Sequence, residues 1–226
     1  MTALLYGSHS PDSSGTDHSI DSSITLVSSE SATTVTRWCY DRGDTFTSDI
    51  RLARCLTEQF WTRQFNAWGL RYQRIRSFKA YVGTRGPRCY GEASSPDNAF
   101  YCPESHIIAY DQNYMRRMYK KIGDGVMYMV IPHEFAHSVQ AQLGLRYQYT
   151  VQQELQADCM AGATLAAVVR AGQVQLEPGD LQEIIANFEE IGDPDDAWWE
   201  PGKHGRPDVR ASHYAKGYQR GMNACF

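Results

Sequence analysis

His133-Glu134-Phe135-Ala136-His137 constrains this chain more than any other segment. Histidines four residues apart lie on one face of an α-helix, about one turn apart, so both imidazoles can reach a single ion. Seventeen residues beyond His137 stands Glu154, which opens Glu154-Leu155-Gln156-Ala157-Asp158. A carboxylate from a second helix would complete three protein ligands and leave the fourth position of a tetrahedral zinc for chemistry. The chain must then place two helices side by side. The spacing points to a zinc hydrolase, most simply a peptidase.

Each residue of the constellation has a role in that reading. His133, His137 and Glu154 bind Zn2+. Glu134 lies beside the metal and takes a proton from water, then returns it to the leaving amine, acting first as base and then as acid. Asp158 shares a helix face with Glu154. It accepts the free ring N–H of a ligating histidine, His133 by preference, and fixes its tautomer. A donor to the tetrahedral intermediate is also needed. His204, in Lys203-His204-Gly205, is the leading candidate, with Tyr110, Tyr147 or Tyr214 able to share the role. A solvated loop histidine is the competing interpretation of His204. Arg210 either orients a carboxylate near the site or pairs on the surface. The plain alternative for the whole motif is a helix with two partly buried histidines and a solvated glutamate; the following ExxxD argues against it.

The chain has 226 residues, 42% of them apolar and 12% aromatic, enough for a real core. A net charge of −4 gives no basic footprint, so no nucleic-acid partner is expected. No apolar run reaches membrane-span length, so this domain is expected to make no membrane contact itself. The opening Met1-Thr2-Ala3-Leu4-Leu5-Tyr6 is too short and uncharged for a signal peptide, which leaves a possible anchor or signal upstream. Six cysteines lie scattered without a CxxC pair, which suits disulfides in an oxidising compartment; buried thiols are the alternative. Cys89 and Cys102 flank a Gly/Ser/Pro-rich loop and form the first expected pair. Cys39–Cys55 and Cys159–Cys225 follow by elimination.

The expected fold is α+β, mainly helical, with a small antiparallel sheet beside the cleft. Residues 1–34, rich in Ser and Thr, read as a disordered linker or tail, and the domain as 35–226. A helix is expected from a Ser48 N-cap to Gly69, with strands over Arg76–Val82 and His106–Tyr110. Ile107 to Asp111 is the segment expected to pair with an extended substrate backbone. His106 and Asp111 are expected to be solvated. The metal helix runs from Val126 to Leu143 and stops at Gly144. Pro132 either kinks it or opens it at its first position, with the kink expected. Further helices are expected over Val151–Arg170, from Asp180 to Gly192, and from Pro207 to Gly221. The small residues Ala161-Gly162-Ala163 would let the first of these, Val151–Arg170, approach the metal helix.

Beyond the pentapeptide, several segments carry a resemblance: Asn98-Ala99-Phe100-Tyr101-Cys102-Pro103, Pro132 to Gln140, Glu154 to Gly162, Ile191-Gly192-Asp193, His204-Gly205 with Arg210, and Gly217-Tyr218 to Gly221 with Cys225. Over Ser48 to Phe226 the chain resembles the bacterial family named putative neutral zinc metallopeptidases, whose zinc arrangement is of the thermolysin-like gluzincin type. The resemblance implies a zincin-like domain and assigns zinc to His133, His137 and Glu154, the base to Glu134, and ligand support to Asp158. It matches His204 to the family's His-Gly motif, and family members often carry an N-terminal membrane anchor. The expected activity is zinc-dependent hydrolysis of a peptide or protein substrate outside the cytoplasm, by a secreted or anchored enzyme. The alternatives are a catalytically silent, zinc-stabilised binding or scaffold domain, which would have no use for Glu134, and a zinc amidase acting on cell-wall peptides.

Overall fold

Thr45 and Ser48 start the first helix together. The Thr45 hydroxyl accepts the Ser48 N–H at 3.2 Å, and the Ser48 hydroxyl accepts the Thr45 N–H at 2.9 Å. This capping box satisfies two donors that a helix start otherwise leaves open. Ser48 is therefore the third residue of helix α1 (Phe46–Ala67), not its cap. The computed structural model describes residues 39, 45–194, 199, 200 and 202–226. The expected linker 1–34 and the expected domain start at 35–38 lie outside the described residues. The chain leaves α1 at Gly69, whose φ of +72° suits a residue without Cβ.

Three strands follow: β1 (Ser77–Tyr81), β2 (Ala99–Cys102) and β3 (Ile107–Asp111), in the spatial order β1-β3-β2. The sheet is mixed, which corrects the antiparallel expectation: β1 and β3 run parallel, and β2 pairs antiparallel with β3. The reason is a count of reversals. A short strand ending at Pro103 stands between the two expected ones, so the chain turns back twice and β3 regains the direction of β1. It follows that Ile107–Asp111 is the central strand, buried throughout, and cannot offer a free edge. That edge belongs to β2.

His106 and Asp111, expected in solvent, are both buried. The Asp111 carboxylate accepts backbone N–H bonds from Gly83, Asp97 and Asn113 and caps helix α2 (Gln112–Lys121). His106 bridges the Tyr101 hydroxyl at 2.8 Å and the Gln73 carbonyl at 3.1 Å. The carbonyl can only accept, so the ring donates to it from Nε2 and accepts from Tyr101 at Nδ1.

Helix α3 (Gly125–Gln142) carries the histidine pair and runs unbroken through Pro132, which excludes an extended Val126–Ile131. It forms the centre of the core: Val126, Met127, Ile131, Phe135 and Val139 are fully buried. Helix α4 (Thr150–Arg170) lies against it, followed by α5 (Asp180–Ile191), α6 (Pro207–Arg220) and a 3-10 turn at Met222–Cys225. Of the apolar residues of α5, Ile184 and Phe188 are buried, whereas Leu181 and Ile185 are exposed. Pro207 opens α6, where its missing N–H costs nothing.

The glycine of Ala161-Gly162-Ala163 serves a contact other than the expected one. A Cβ on Gly162 would sit 2.0 Å from the Tyr214 carbonyl oxygen, and one on Gly217 would sit 1.8 Å from that of Cys159. These glycines let α4 and α6 touch backbone to backbone, which carries Arg210 of α6 to Asp158 of α4. The Cys159–Cys225 disulfide holds the far end of this contact, and Cys39–Cys55 and Cys89–Cys102 complete the expected pairing. Three disulfides suit an oxidising compartment. No helix among the described residues is long and apolar enough to cross a membrane.

The start of α3 is crowded with negative charge. Glu183 accepts the Gly125 N–H at 2.9 Å. Asp124, ahead of it, is pushed up to about 6 by burial and by Asp180, Glu183 and Asp49. An acid with a raised folded pKa costs stability as pH rises from its unfolded value towards the folded one, here from about 4 to 6. Asp124→Asn should therefore stabilise the protein at pH 7, leave it unchanged below pH 4, and flatten that window in urea titrations. Solvent screening of this half-buried group limits the gain to about 1 kcal/mol.

Candidate metal centre

Helical spacing brings His133 and His137 to the same face of α3, and α4 lays Glu154 across from them. His133 Nε2 lies 3.2 Å from Glu154 Oε2, and His137 Nε2 lies 3.4 Å from Glu154 Oε1. The two Nε2 atoms are 3.1 Å apart. A tetrahedral ion with arms of about 2.0–2.2 Å requires donor–donor separations of about 3.3–3.6 Å. The observed triangle matches this to within a few tenths of an ångström.

The tautomers complete the test of fit. Asp158 Oδ1 lies 2.8 Å from His133 Nδ1, and an ionised carboxylate can only accept, so His133 donates from Nδ1. Gln140 Oε1 lies 2.8 Å from His137 Nδ1, and that ring donates likewise. Both Nε2 atoms are thus turned towards the carboxylate of Glu154. Burial lowers the His133 pKa, but Asp158 and Glu154 lift it to about 10. Burial raises that of Glu154, but the two histidines hold it far below the usual carboxylate range. Two imidazoles and one carboxylate converging in this way suit zinc.

Asp158 is fully buried and takes both Arg210 Nε at 2.9 Å and Arg210 Nη2 at 3.0 Å. Burial raises its pKa, but Arg210 and His133 bring it below the usual value. Arg210 is thereby a buried partner of Asp158, which settles its two alternatives in favour of the site.

Glu134 is buried at the same centre, where burial pushes its carboxyl up. Its Oε2 has no hydrogen-bond partner. His137, His133 and, least of the three, the Tyr101 N–H of β2, which faces the same carboxylate, draw its pKa back down. In an antiparallel pair, residues alternately turn their backbone groups towards and away from the partner strand. Asp111 N donates to Asn98 O at 2.7 Å, so Phe100 and Cys102 face β3 and Ala99 and Tyr101 face outward. The outward edge borders a cleft of about 960 Å³ that also contains Glu134, His137 and Glu154.

A model of the family described as "Putative neutral zinc metallopeptidase" matches residues 18–225. The chain belongs to that family. Its name implies zinc and a peptidase activity. The uncharacterized protein YpfJ of Escherichia coli K12 is 30% identical over 206 residues, covering 80% of this chain and 69% of that protein. The uncharacterized protein Rv2575 of Mycobacterium tuberculosis H37Rv is 32% identical over 181 residues, covering 67% of this chain and 60% of the relative. No solved structure matches the chain at a significant level.

Ile191 and His204, from two more of the segments that carry the resemblance, also line the cleft. Asp193 Oδ2 accepts the N–H groups of His204 at 2.6 Å and Gly205 at 2.7 Å, which ties the end of α5 to the start of α6. Gly205, at φ +100°, packs against Val151 and Leu155. This latch sets His204 on the rim of the cleft with an exposed side chain. Among the tyrosines, Tyr147 lines the cleft and donates its hydroxyl to Gln156. Tyr214 is buried and donates to the Tyr128 carbonyl, and Tyr110 packs against Phe78, so neither is placed as a donor to substrate. Sequence reading missed Gln140 and the edge strand β2. A glutamine three residues past the second histidine was the available signal for the first, and the aromatic run ending at Pro103 for the second.

Proposed function

We propose that this protein is a zinc-dependent endopeptidase of the gluzincin type, with His133, His137 and Glu154 as its zinc ligands. The observation that carries the reading is the buried Glu134 carboxylate, with one unpartnered oxygen, beside that donor triangle and a free strand edge. When bound, zinc lowers the pKa of a ligated water to about 7 and polarises the scissile carbonyl. Glu134 takes a proton from the attacking water; its raised pKa makes it a competent acceptor, and it then delivers the proton to the leaving amine. His204, on the rim, donates to the developing oxyanion. Asp158 and Gln140 hold the two rings with Nε2 inward.

Substrate binds as an added strand. Ala99 offers its N–H and C=O, and Tyr101 its C=O, to an extended peptide backbone, which favours a peptide or protein over nucleic acid. N-methylation of a substrate amide that pairs with Ala99 should lower kcat/KM about tenfold while leaving metal content unchanged, as expected for one lost hydrogen bond. Indifference to methylation at every backbone position would argue against strand addition. The disulfides support an extracytoplasmic location.

The test is digestion of a broad peptide library by zinc-loaded protein, with and without a chelator. Chelator-sensitive cleavage of internal peptide bonds is expected. Stoichiometric zinc without cleavage would favour a scaffold domain, and cleavage confined to cell-wall peptides would favour an amidase.

A further inference from the structure

Two oxygen acceptors orient the two histidines, and they differ in kind. His133 leans on a carboxylate, whereas His137 leans on the neutral amide of Gln140, which is itself 2% exposed. An amide can present either end, so its orientation must be imposed. Gln140 Nε2 donates to the Gln153 carbonyl at 2.8 Å and to Gln156 Oε1 at 3.1 Å, both of which only accept. Gln156 is fixed in turn: its Nε2 donates to the Cys225 carbonyl at 3.0 Å, and its Oε1 also accepts from Tyr147. Cys225 is anchored to α4 by its disulfide with Cys159. Gln140 and Gln156 thus each have one orientation that satisfies them, and together these aim the Gln140 oxygen at His137.

We propose that Gln140 is a positioning residue for the metal centre: it holds His137 as the Nδ1–H tautomer, with Gln156 and the disulfide-anchored Cys225 carbonyl fixing its orientation. The role rests on the zinc reading above.

The test combines zinc affinity, measured by chelator competition, with ¹⁵N NMR of the histidine side chains in zinc-free protein. The wild type should show His137 protonated at Nδ1 and bind one zinc. Gln140→Met, close in volume but without the acceptor, should bind zinc about 10- to 100-fold more weakly, the range found for lost outer partners of metal ligands. It should also shift His137 towards the Nε2–H form. Gln140→Glu, which restores an oxygen to Nδ1, should recover most of the affinity and the original tautomer. Gln156→Met should show the same changes to a smaller degree, and it probes the relay if Gln140→Met does not fold. A wild-type His137 protonated at Nε2 would overturn the assignment, as would Gln140→Met binding zinc as tightly as wild type. Failure of the wild type to take up zinc would instead overturn the metal centre, and the role of Gln140 with it.

Discussion

Asp158→Ala should lower folding stability by about 3–5 kcal/mol, because it strands a buried guanidinium. Arg210 is 2% exposed and grips Asp158 with two nitrogens. The same substitution frees the His133 Nδ1–H, and the loss of such a partner weakens zinc binding about 10- to 100-fold. The two losses can be separated. In Asp158→Ala/Arg210→Leu neither half of the ion pair is left behind alone, so most of the stability should return, since apolar replacements of buried pairs are often close to neutral. Zinc affinity should stay low, because His133 still lacks its acceptor. Urea unfolding of zinc-free protein reads the first quantity and chelator competition the second. If the double variant recovered both, Asp158 would serve the fold alone.

Glu134→Gln should reduce kcat/KM by about 10²–10⁴-fold, the usual contribution of a positioned acid–base group. Glutamine has nearly the same shape and should keep the packing beside His133 and Tyr101, but it cannot take a proton from water. Zinc content should therefore match wild type and the fold should be at least as stable, because the raised carboxyl is removed, while cleavage of the best library peptide falls. Residual activity above about a tenth would remove Glu134 from the proton path.

The convergence of His133, His137 and Glu154 was legible because two constraints coincide in the sequence. Helical periodicity puts His133 and His137 on one face, and only a few residue types can ligate zinc. The ends of α3 were legible through Gly144, whose φ of +63° no β-branched residue would accept easily. Features that depend on what lies across a contact were not legible. Gln140 looks like any polar residue at a helix end until the Gln153 carbonyl and Gln156 fix its amide. Asp111 and His106 look solvated until backbone N–H groups and Tyr101 close around them. Gly162 reads as a contact for the nearest helix in sequence, yet it meets Gly217's helix, which lies more than fifty residues on. Helix α2 escaped notice because six of its ten residues are polar or basic side chains, with only Met115 and Met118 turned fully inward. Strand β2 has four residues, too few for alternation to stand out, and its omission alone produced the wrong sheet direction.

The central claim is that His133, His137 and Glu154 hold one zinc ion. Zinc K-edge X-ray absorption on the purified protein tests it most directly. The account predicts one zinc per chain with a shell of two imidazole nitrogens and oxygens at about 2.0–2.2 Å. It also predicts that Glu154→Ala loses the metal on dialysis. A sulfur shell at about 2.3 Å, or full zinc retention in Glu154→Ala, would contradict it.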